Sequence, residues 1–420
     1  MNLVLRKGID RPDFNFLLSS VQRSMDAGIQ VDIDAKLKSL IEDEYIASRE
    51  AIGKYGIDSI KDIKVIQDVF ERQAKKEERN GKNSTLRETC YDKELKKWDI
   101  RVEKLVTLAQ QNNKLGTLLL SNIKLSNYMA KISSIEEYTD DKGLIHPIIT
   151  TSSTNRIQYV NPGLLTIPKA ILWHIIKPHK GYSLYSIDIQ NQEPWILINM
   201  LNISSLKELL SISEDGLYEI IFDFLYNRTP DKIERNELKK AWNALTYGAS
   251  KKAINYMCKH IDSSVLYNFF KNIPGYKEYS SEKYAFANAS KQHSATSYFG
   301  TPVNITGETA SKRAKQMMNA GIQGTGADIL AFLVKHFLTE VSKEGLENDL
   351  RLYFTRHDEC IVEVSNTFED KYTEDGVIDI LADVFEHRID NWEPFRLKVL
   401  KIAPTTDTIF KPFDDSDYDD

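Results

Sequence analysis

Asp188 falls near the end of the run YSLYSIDIQNQEPW, and Asp358 with Glu359 sits in the middle of LYFTRHDECIVEV. Residues 182–189 alternate and are rich in Tyr, Leu and Ile. Residues 352–355 and 361–364 are β-type runs flanking the other acidic site, with Arg356-His357-Asp358-Glu359 between them as a turn. Such a pattern predicts strands, the second pair forming a hairpin with carboxylates at its tip. Carboxylates brought together from separate strands repel each other unless cations lie between them. Two Mg²⁺ ions roughly 3.5–4 Å apart, held in this way, drive in-line phosphoryl transfer in many enzymes.

A second set of candidates lies in ERNELKKAWNALTYGAS. Arg235, Lys239, Asn243 and Tyr247 are spaced four apart, and each such step drifts only about 40° around a helix, so all four share one face. Thr229-Pro230 predicts a cap and first turn, with the helix beginning just before Arg235. A helix N-terminus followed by Arg and Lys suits phosphate binding. Taken alone, the same spacing is better explained by a solvated basic face with a core tyrosine.

The elements that must position these residues belong to a chain of 420 residues, 41% hydrophobic and 28% charged. That is an ordinary globular composition with ample core. Cys90, Cys258 and Cys360 lie far apart without CxxC spacing, which implies a reducing compartment, no disulfide framework and no zinc site. The start of the chain has no long apolar core, so no signal peptide is expected. The apolar run 170–176 is too short to span a membrane. Net charge is −6, but the tail DDSDYDD alone supplies five aspartates. The remaining body is nearly neutral and can hold a basic groove, so charge neither supports nor excludes nucleic acid.

Residues 11–135 read as mostly helical. A first helix covers 14–25 and ends at Ala27-Gly28. Residues 31–34 form a short strand or lead into a second helix, capped by Asp34 and stopped by Gly56. Another helical set covers 93–132. KKEERNGKNSTLRET between them reads as an exposed loop turning at Asn80-Gly81, rather than a tip that touches a phosphate backbone. Residues 146–200 are strand- and turn-like. Helices are predicted at 217–226, 230–247, 251–260 and 281–298, then one long helix over 309–341 or two broken near Gly321 and Gly324. Strands at 183–189, 352–364 and 396–402 should pair as one antiparallel sheet, with a helix at 376–391 and a long helical insertion after the first strand. This is an α+β arrangement. Beyond Pro404 the chain is expected to be loose, with a disordered acidic end.

Five blocks together resemble the polymerase domain of family A DNA polymerases, the bacterial DNA polymerase I type. TNRIQYVNPGLLTIP is similar to TGRLSS-x-x-PNLQNIP through Arg156, Pro162, Leu164, Ile167 and Pro168. SIDIQNQE resembles motif A, DYSQIE, through Asp188 and Glu193. RNELKKAWNALTYG resembles motif B, RxxxKxxxFxxxYG, through Arg235, Lys239, Tyr247 and Gly248. RHDECIVEV resembles motif C, VHDEIVFEV, through His357, Asp358 and Glu359. NAGIQGTGADIL resembles NAPIQGTAADI through Asn319, Gln323, Gly324, Thr325, Ala327 and Asp328. With MDAGIQVDIDAKL, which looks like the segment leading into the thumb, the resemblance covers about residues 15–402.

The resemblance implies an α+β right-hand polymerase fold with an antiparallel palm sheet, helical fingers and a helical thumb. The parts would be a palm-edge segment at 1–33, the thumb at 34–140, palm at 141–200, fingers at 201–317, palm again at 318–413 and an acidic tail at 414–420. It implies a template-directed DNA polymerase that adds dNTPs to the 3′ end of a primer by two-metal-ion nucleotidyl transfer. Two Mg²⁺ ions would be used, with Mn²⁺ able to substitute. The partners would be primer–template DNA and dNTPs, with no membrane, and the protein a monomer in the cytoplasm of a bacterium or a phage-infected cell. About thirty residues precede the thumb, so no proofreading exonuclease domain is expected.

By the same resemblance, Asp188 and Asp358 would carry the metal ions, and Glu359 would tune them or form an ion pair. Glu193 would occupy the steric-gate position that excludes a ribose 2′-hydroxyl. Arg235 and Lys239 would clamp the β- and γ-phosphates, Lys239 aiding catalysis, and Tyr247 would stack near the templating base. Arg156, Gln323 and Asn319 would contact the minor groove of the new duplex, and Lys315 takes the place of a DNA-binding arginine. His357 would touch the primer terminus or be an ordinary turn histidine. Besides Lys315, three further features depart from the family. Asn243 replaces the aromatic that packs on the incoming sugar, Trp195 replaces the motif A arginine, and Pro162-Gly163-Leu164-Leu165-Thr166 loses two amides facing the primer–template. A single-chain RNA polymerase is a second reading, opposed by Glu193. A degenerate polymerase kept as a DNA-binding scaffold is a third.

Overall fold

The computed structural model describes residues 12–403, apart from 94–95, 205, 209–215, 290–293, 387–391 and 393–395. The acidic tail at 414–420 lies outside the described residues. Two compact units are present. One holds the described residues of 12–28, 148–160 and 178–402, the other those of 29–147 and 161–177 with Ala403.

The first unit is organised by a four-stranded sheet of β1 (Tyr182–Ile189), β2 (Leu350–Arg356), β3 (Glu359–Ser365) and β4 (Leu397–Lys401). The spatial order is β2-β3-β1-β4, and every neighbouring pair is antiparallel. The three strand runs expected from sequence therefore do form one sheet. β3 is buried at every position, since it lies between β1 and β2 and is also packed by a helix.

The helices of this unit that bear on the site are α1 (Pro12–Ala27), α2 (Gln192–Met200), α3 (Leu217–Tyr226), α4 (Lys232–Thr246), α5 (Ala310–Lys343) and α6 (Asn366–Phe385). α1 packs on β2, and α6 packs on β1, β3 and β4. α5 is one continuous helix, so the break considered near Gly321 and Gly324 does not occur. Its glycines serve close approach instead. A Cβ at Gly324 would sit 2.9 Å from Val303 Cγ2, and one at Gly326 would collide with the Gln192 amide. The helix is buried along most of its length, and that packing outweighs the poor helical propensity of glycine, a penalty of about 1 kcal/mol per residue.

Other boundaries also move. Asn366–Phe385 is two helical segments joined by a kink at Thr373 (φ 65°): Ser365 caps the first, not expected from sequence, by accepting from Phe368 N at 3.2 Å, and the second corresponds to the predicted helix. The helix predicted at 281–298 runs instead over Tyr276–Ala289, and residues Ser294–Thr296 and Pro302–Asn304 form a short hairpin. The helix predicted at 251–260 ends at Met257, and Ser263–Lys271 forms a further helix not expected.

In the second unit, Ala35–Gly53 packs against Lys114–Tyr138. Asp34 caps the former, accepting from Lys36 N. The stretch read as an exposed loop is mostly helical: Ile63–Arg79 runs through KKEER, and Thr85–Cys90 follows with Ser84 as its cap. Ile66, Val69, Phe70 and Ala74 recur at helical spacing and are buried, so KKEER is the solvent face of the last turns. Only the turn at Asn80-Gly81 remains as predicted, with Gly81 at φ +71°. Phe70, Trp98, Leu105 and Leu119 share this unit's core. Among the described residues, no helix is long and apolar enough to cross a membrane.

Candidate active site

The carboxylates meet at one end of the sheet. Asp188 on β1 is in register with Glu359 on β3 and, on its other side, with Lys398 on β4. Arg356 pairs with Glu359 across the β2–β3 hairpin, leaving His357 and Asp358 as the two-residue turn. His357 takes a left-handed conformation, φ 53°, which such tight hairpins require. The turn lies against β1, where Ile189 N donates to the Asp358 carbonyl at 3.3 Å. Strand pairing thus brings Asp188 and Asp358 together although they are distant in sequence.

Their electrostatics follow from this proximity. Asp358 keeps some surface exposed but sits deep among protein atoms. That desolvation, and then the like charge of Asp188, pushes its carboxyl up to about 6, against the pull of Arg156. Two carboxylates that resist joint ionisation form a site that a cation would stabilise. Glu359 is buried and accepts a hydrogen bond from Ser186 Oγ. The buried Cys360 thiol is pushed above its usual range by burial, and by Glu359, Asp358 and Asp188.

A second cluster gathers beside it. α2 begins after Asn191, itself left-handed, and carries Glu193 in its first turn. Arg156 Nη2 lies 3.1 Å from Glu193 Oε1, and Gln323 Nε2 donates to the same oxygen at 3.2 Å. Burial and then the Glu193 charge push the Tyr247 hydroxyl above its usual range. Arg156 is positioned by its backbone: Ser152 Oγ accepts from Arg156 N at 3.1 Å, and the following strand is tied to β2 through Tyr159 Oη, which accepts from Thr355 N at 3.1 Å. Residues 156, 193, 247 and 323, each from a separate segment, share one electrostatic neighbourhood. Asn319 is half-buried, and its Oδ1 has no hydrogen-bond partner among the described residues. Lys315 is exposed and joins none of these contacts. Trp195 is buried within α2, so the position is part of the core. Asp328 also has a structural role, holding the 294–304 hairpin by accepting from Ser297 Oγ and, at 2.8 Å, from Thr301 Oγ1.

The basic face lies on α4, whose start differs from the prediction. Asp231, not Thr229, is the cap. It accepts from Glu234 N at 2.8 Å, while Glu234 accepts in return from Asp231 N at 3.1 Å. This reciprocal pairing meets the exposed amides of the first turn. Glu234 also accepts from Arg228 Nη1 at 2.7 Å. With two carboxylates already there, the helix N-terminus is not an open anion site, and any affinity for phosphate must come from side chains. Lys239 is half-buried along the face. Arg235 Nε donates to Glu219, and its guanidinium lies 5.7 Å from the Tyr218 ring centroid. Tyr218 Oη donates to Asn243 Oδ1 at 3.2 Å. Tyr218 and Glu219, in the first turn of α3, were not visible as site residues, because LYEIIFDFLY reads as an ordinary apolar helix. At the far end Gly248 follows Tyr247 with φ +79°, the left-handed conformation that ends a helix.

Among the described residues, no group of three or more His, Cys, Asp or Glu is arranged to hold a metal ion by itself. A hard cation such as Mg²⁺ does not need one, since it is commonly held by one or two carboxylates plus substrate phosphates and water. Asp188 and Asp358 fit that role in charge, donor type and proximity.

An α+β fold with acidic residues at the end of an antiparallel sheet, next to a helix with a basic face, is the architecture of a polymerase domain. Residues 32–390 match the family model described as DNA polymerase family A, and the chain belongs to this family of DNA-directed DNA polymerases. Its fold is similar to that of the polymerase domain of Pol1 from M. smegmatis, solved in complex with DNA primer–template and dNTP. The TM-score is 0.69 at 18% identity, covering 94% of this chain and 70% of that one.

Proposed function

We propose that this chain extends the 3′ end of a primer on a DNA template with dNTPs, and that Asp188 and Asp358 hold the divalent ions that assist nucleotidyl transfer. The observation that carries this reading is the convergence of the two aspartates at the β1–β3 register, where burial and Asp188 raise the proton affinity of Asp358. Bound there, Mg²⁺, or Mn²⁺ in its place, would supply Lewis-acid stabilisation of the triphosphate and activation of the primer 3′-hydroxyl. Glu359, fixed by Ser186, holds further negative charge beneath the pair. Arg235 and Lys239 would bind the triphosphate from α4, and Lys239 would offset charge developing on the departing pyrophosphate. Tyr247 would lie by the templating base.

Glu193, held by Arg156 and Gln323, would fill the space a ribose 2′-hydroxyl needs, favouring deoxynucleotides. The same two partners and Asn319 would face the duplex minor groove, where acceptors recur in every base pair. His357 would meet the primer terminus and Lys315 the DNA backbone. In this reading the sheet-bearing unit supplies palm and fingers, and residues 34–140 the thumb. The family match and the similar fold of a complex with primer–template and dNTP support these partners.

Primer extension with Mg²⁺ tests the proposal. Asp188→Ala and Asp358→Ala should each lose more than ~100-fold in rate, the upper range for losing a mere supporting partner of a metal ligand. Either variant extending as well as the wild type would sink the mechanism.

A further inference from the structure

The structure assigns Glu219 as a positioning residue for the proposed triphosphate-binding arginine: it grips Arg235 through Nε and leaves the terminal guanidinium nitrogens for a phosphate. This inference rests on the reading of Arg235 given above and names the residue that prepares it. A guanidinium offers five N–H donors in a rigid plane, and a carboxylate bound at Nε fixes that plane while the outer edge keeps its fork for two phosphate oxygens. Glu219 meets Arg235 at Nε.

Three further observations favour a built arrangement over a chance surface pair. First, Tyr218, the residue before Glu219, lies beneath the guanidinium and also donates to Asn243, so the first turn of α3 touches the α4 face at two positions two turns apart. Second, Gly216 makes room for the acid, since a Cβ there would collide with Glu219 Oε2. Third, that Oε2 is buried without a hydrogen-bond partner among the described residues. A buried carboxylate oxygen left unmet is costly, and its pairing with Arg235 gives a reason to keep the acid. The pair is still within a ligand's reach, with side-chain exposures of 36% for Arg235 and 30% for Glu219.

A positioning carboxylate differs from one that merely competes with phosphate for the arginine. Glutamine retains an acceptor for Nε but no charge, so it should preserve positioning and abolish competition. The test is single-nucleotide incorporation on a primer–template, reading kcat and the dNTP KM separately. Glu219→Ala should raise KM about tenfold with kcat changed less than about threefold, the signature of lost binding. Glu219→Gln should stay within about threefold of wild type. In an Arg235→Ala background, Glu219→Ala should add nothing, since the two act as one unit. A lower KM in both Glu219 variants would overturn the proposal in favour of competition. An unmoved KM in Glu219→Ala, with or without a fall in thermal midpoint, or an undiminished effect without Arg235, would also overturn it. A wild-type protein that extends no primer would overturn the polymerase reading itself and this inference with it, a result distinct from any of those.

Discussion

The acidic end of the sheet and the basic face of α4 are built by opposite means. Asp188 and Asp358 come from distant parts of the chain and are located by backbone pairing, Asp188 opposite Glu359 and Ile189 N on the Asp358 carbonyl. A one-residue slip of β1 would send Asp188 to the other face. Arg235, Lys239, Asn243 and Tyr247 are aligned by helical period alone, and side-chain partners then set what each can do, Glu219 for Arg235 and Tyr218 for Asn243. Geometry is thus stored in the backbone at the first site and in replaceable side chains at the second. The sheet end should tolerate almost no displacement, while the helix face should lose affinity in steps.

The sharpest way to break this contrast is to move a carboxylate without removing it. Asp188→Glu keeps the charge but shifts it by one methylene, and displacement of a reacting group by about 1 Å can cost on the order of 100-fold. We expect kcat to fall by about that factor, with little change in the dNTP KM. A kcat within threefold of wild type would mean that strand register does not set the chemistry.

Glu193 lies between the two extremes, since it stands on a helix yet is fixed by residues from two other segments. Replacing it with alanine removes the acceptor shared by Arg156 and Gln323 and opens space. Discrimination against ribonucleotides should fall by roughly tenfold or more, the scale set by a lost packing contact in a selective pocket. Deoxynucleotide kcat should change less than the ribonucleotide preference does. Comparing kcat/KM for a dNTP and its ribonucleotide would check this, and unchanged discrimination would remove Glu193 from sugar selection.

What sequence alone revealed follows the same division. The sheet and its acidic end were legible because alternation and short turn segments mark strands, and three such runs leave one simple pairing. The four-residue spacing on α4 was legible because helical period is local. The cap at Asp231 was not, because Thr229-Pro230 offered an equally good local signal, and only the return bond from Glu234 decides between them. The continuity of α5 was hidden because Gly321 and Gly324 read as breaks until Tyr279 and Val303 are seen packed against them. Tyr218 and Glu219 left no trace, since a partner supplied by a preceding helix has no spacing rule. The KKEER stretch failed for a related reason: its composition is that of a loop, and the buried stripe that makes it helical lies earlier, at Ile66, Val69 and Phe70.

The smallest expected effect concerns the capped start of α4, the helix that carries the basic face. The hydrogen bond from Arg228, and then the amide of Asp231, lower the Glu234 carboxyl from its ordinary 4.5 to about 2. A group depressed on folding adds stability that is fully present above its unfolded value and is lost as pH falls through the folded one. Glu234→Gln cannot ionise, so it should be less stable than wild type at pH 7, by roughly 1 kcal/mol, the scale of a lost cap. The gap should narrow as pH drops from about 4.5 towards 2. Urea midpoints of the two proteins at pH 7 and pH 3 would measure it. A gap that stays constant or widens towards acid would show that the ionised Glu234 does not anchor the helix, and the basic face would then need another support.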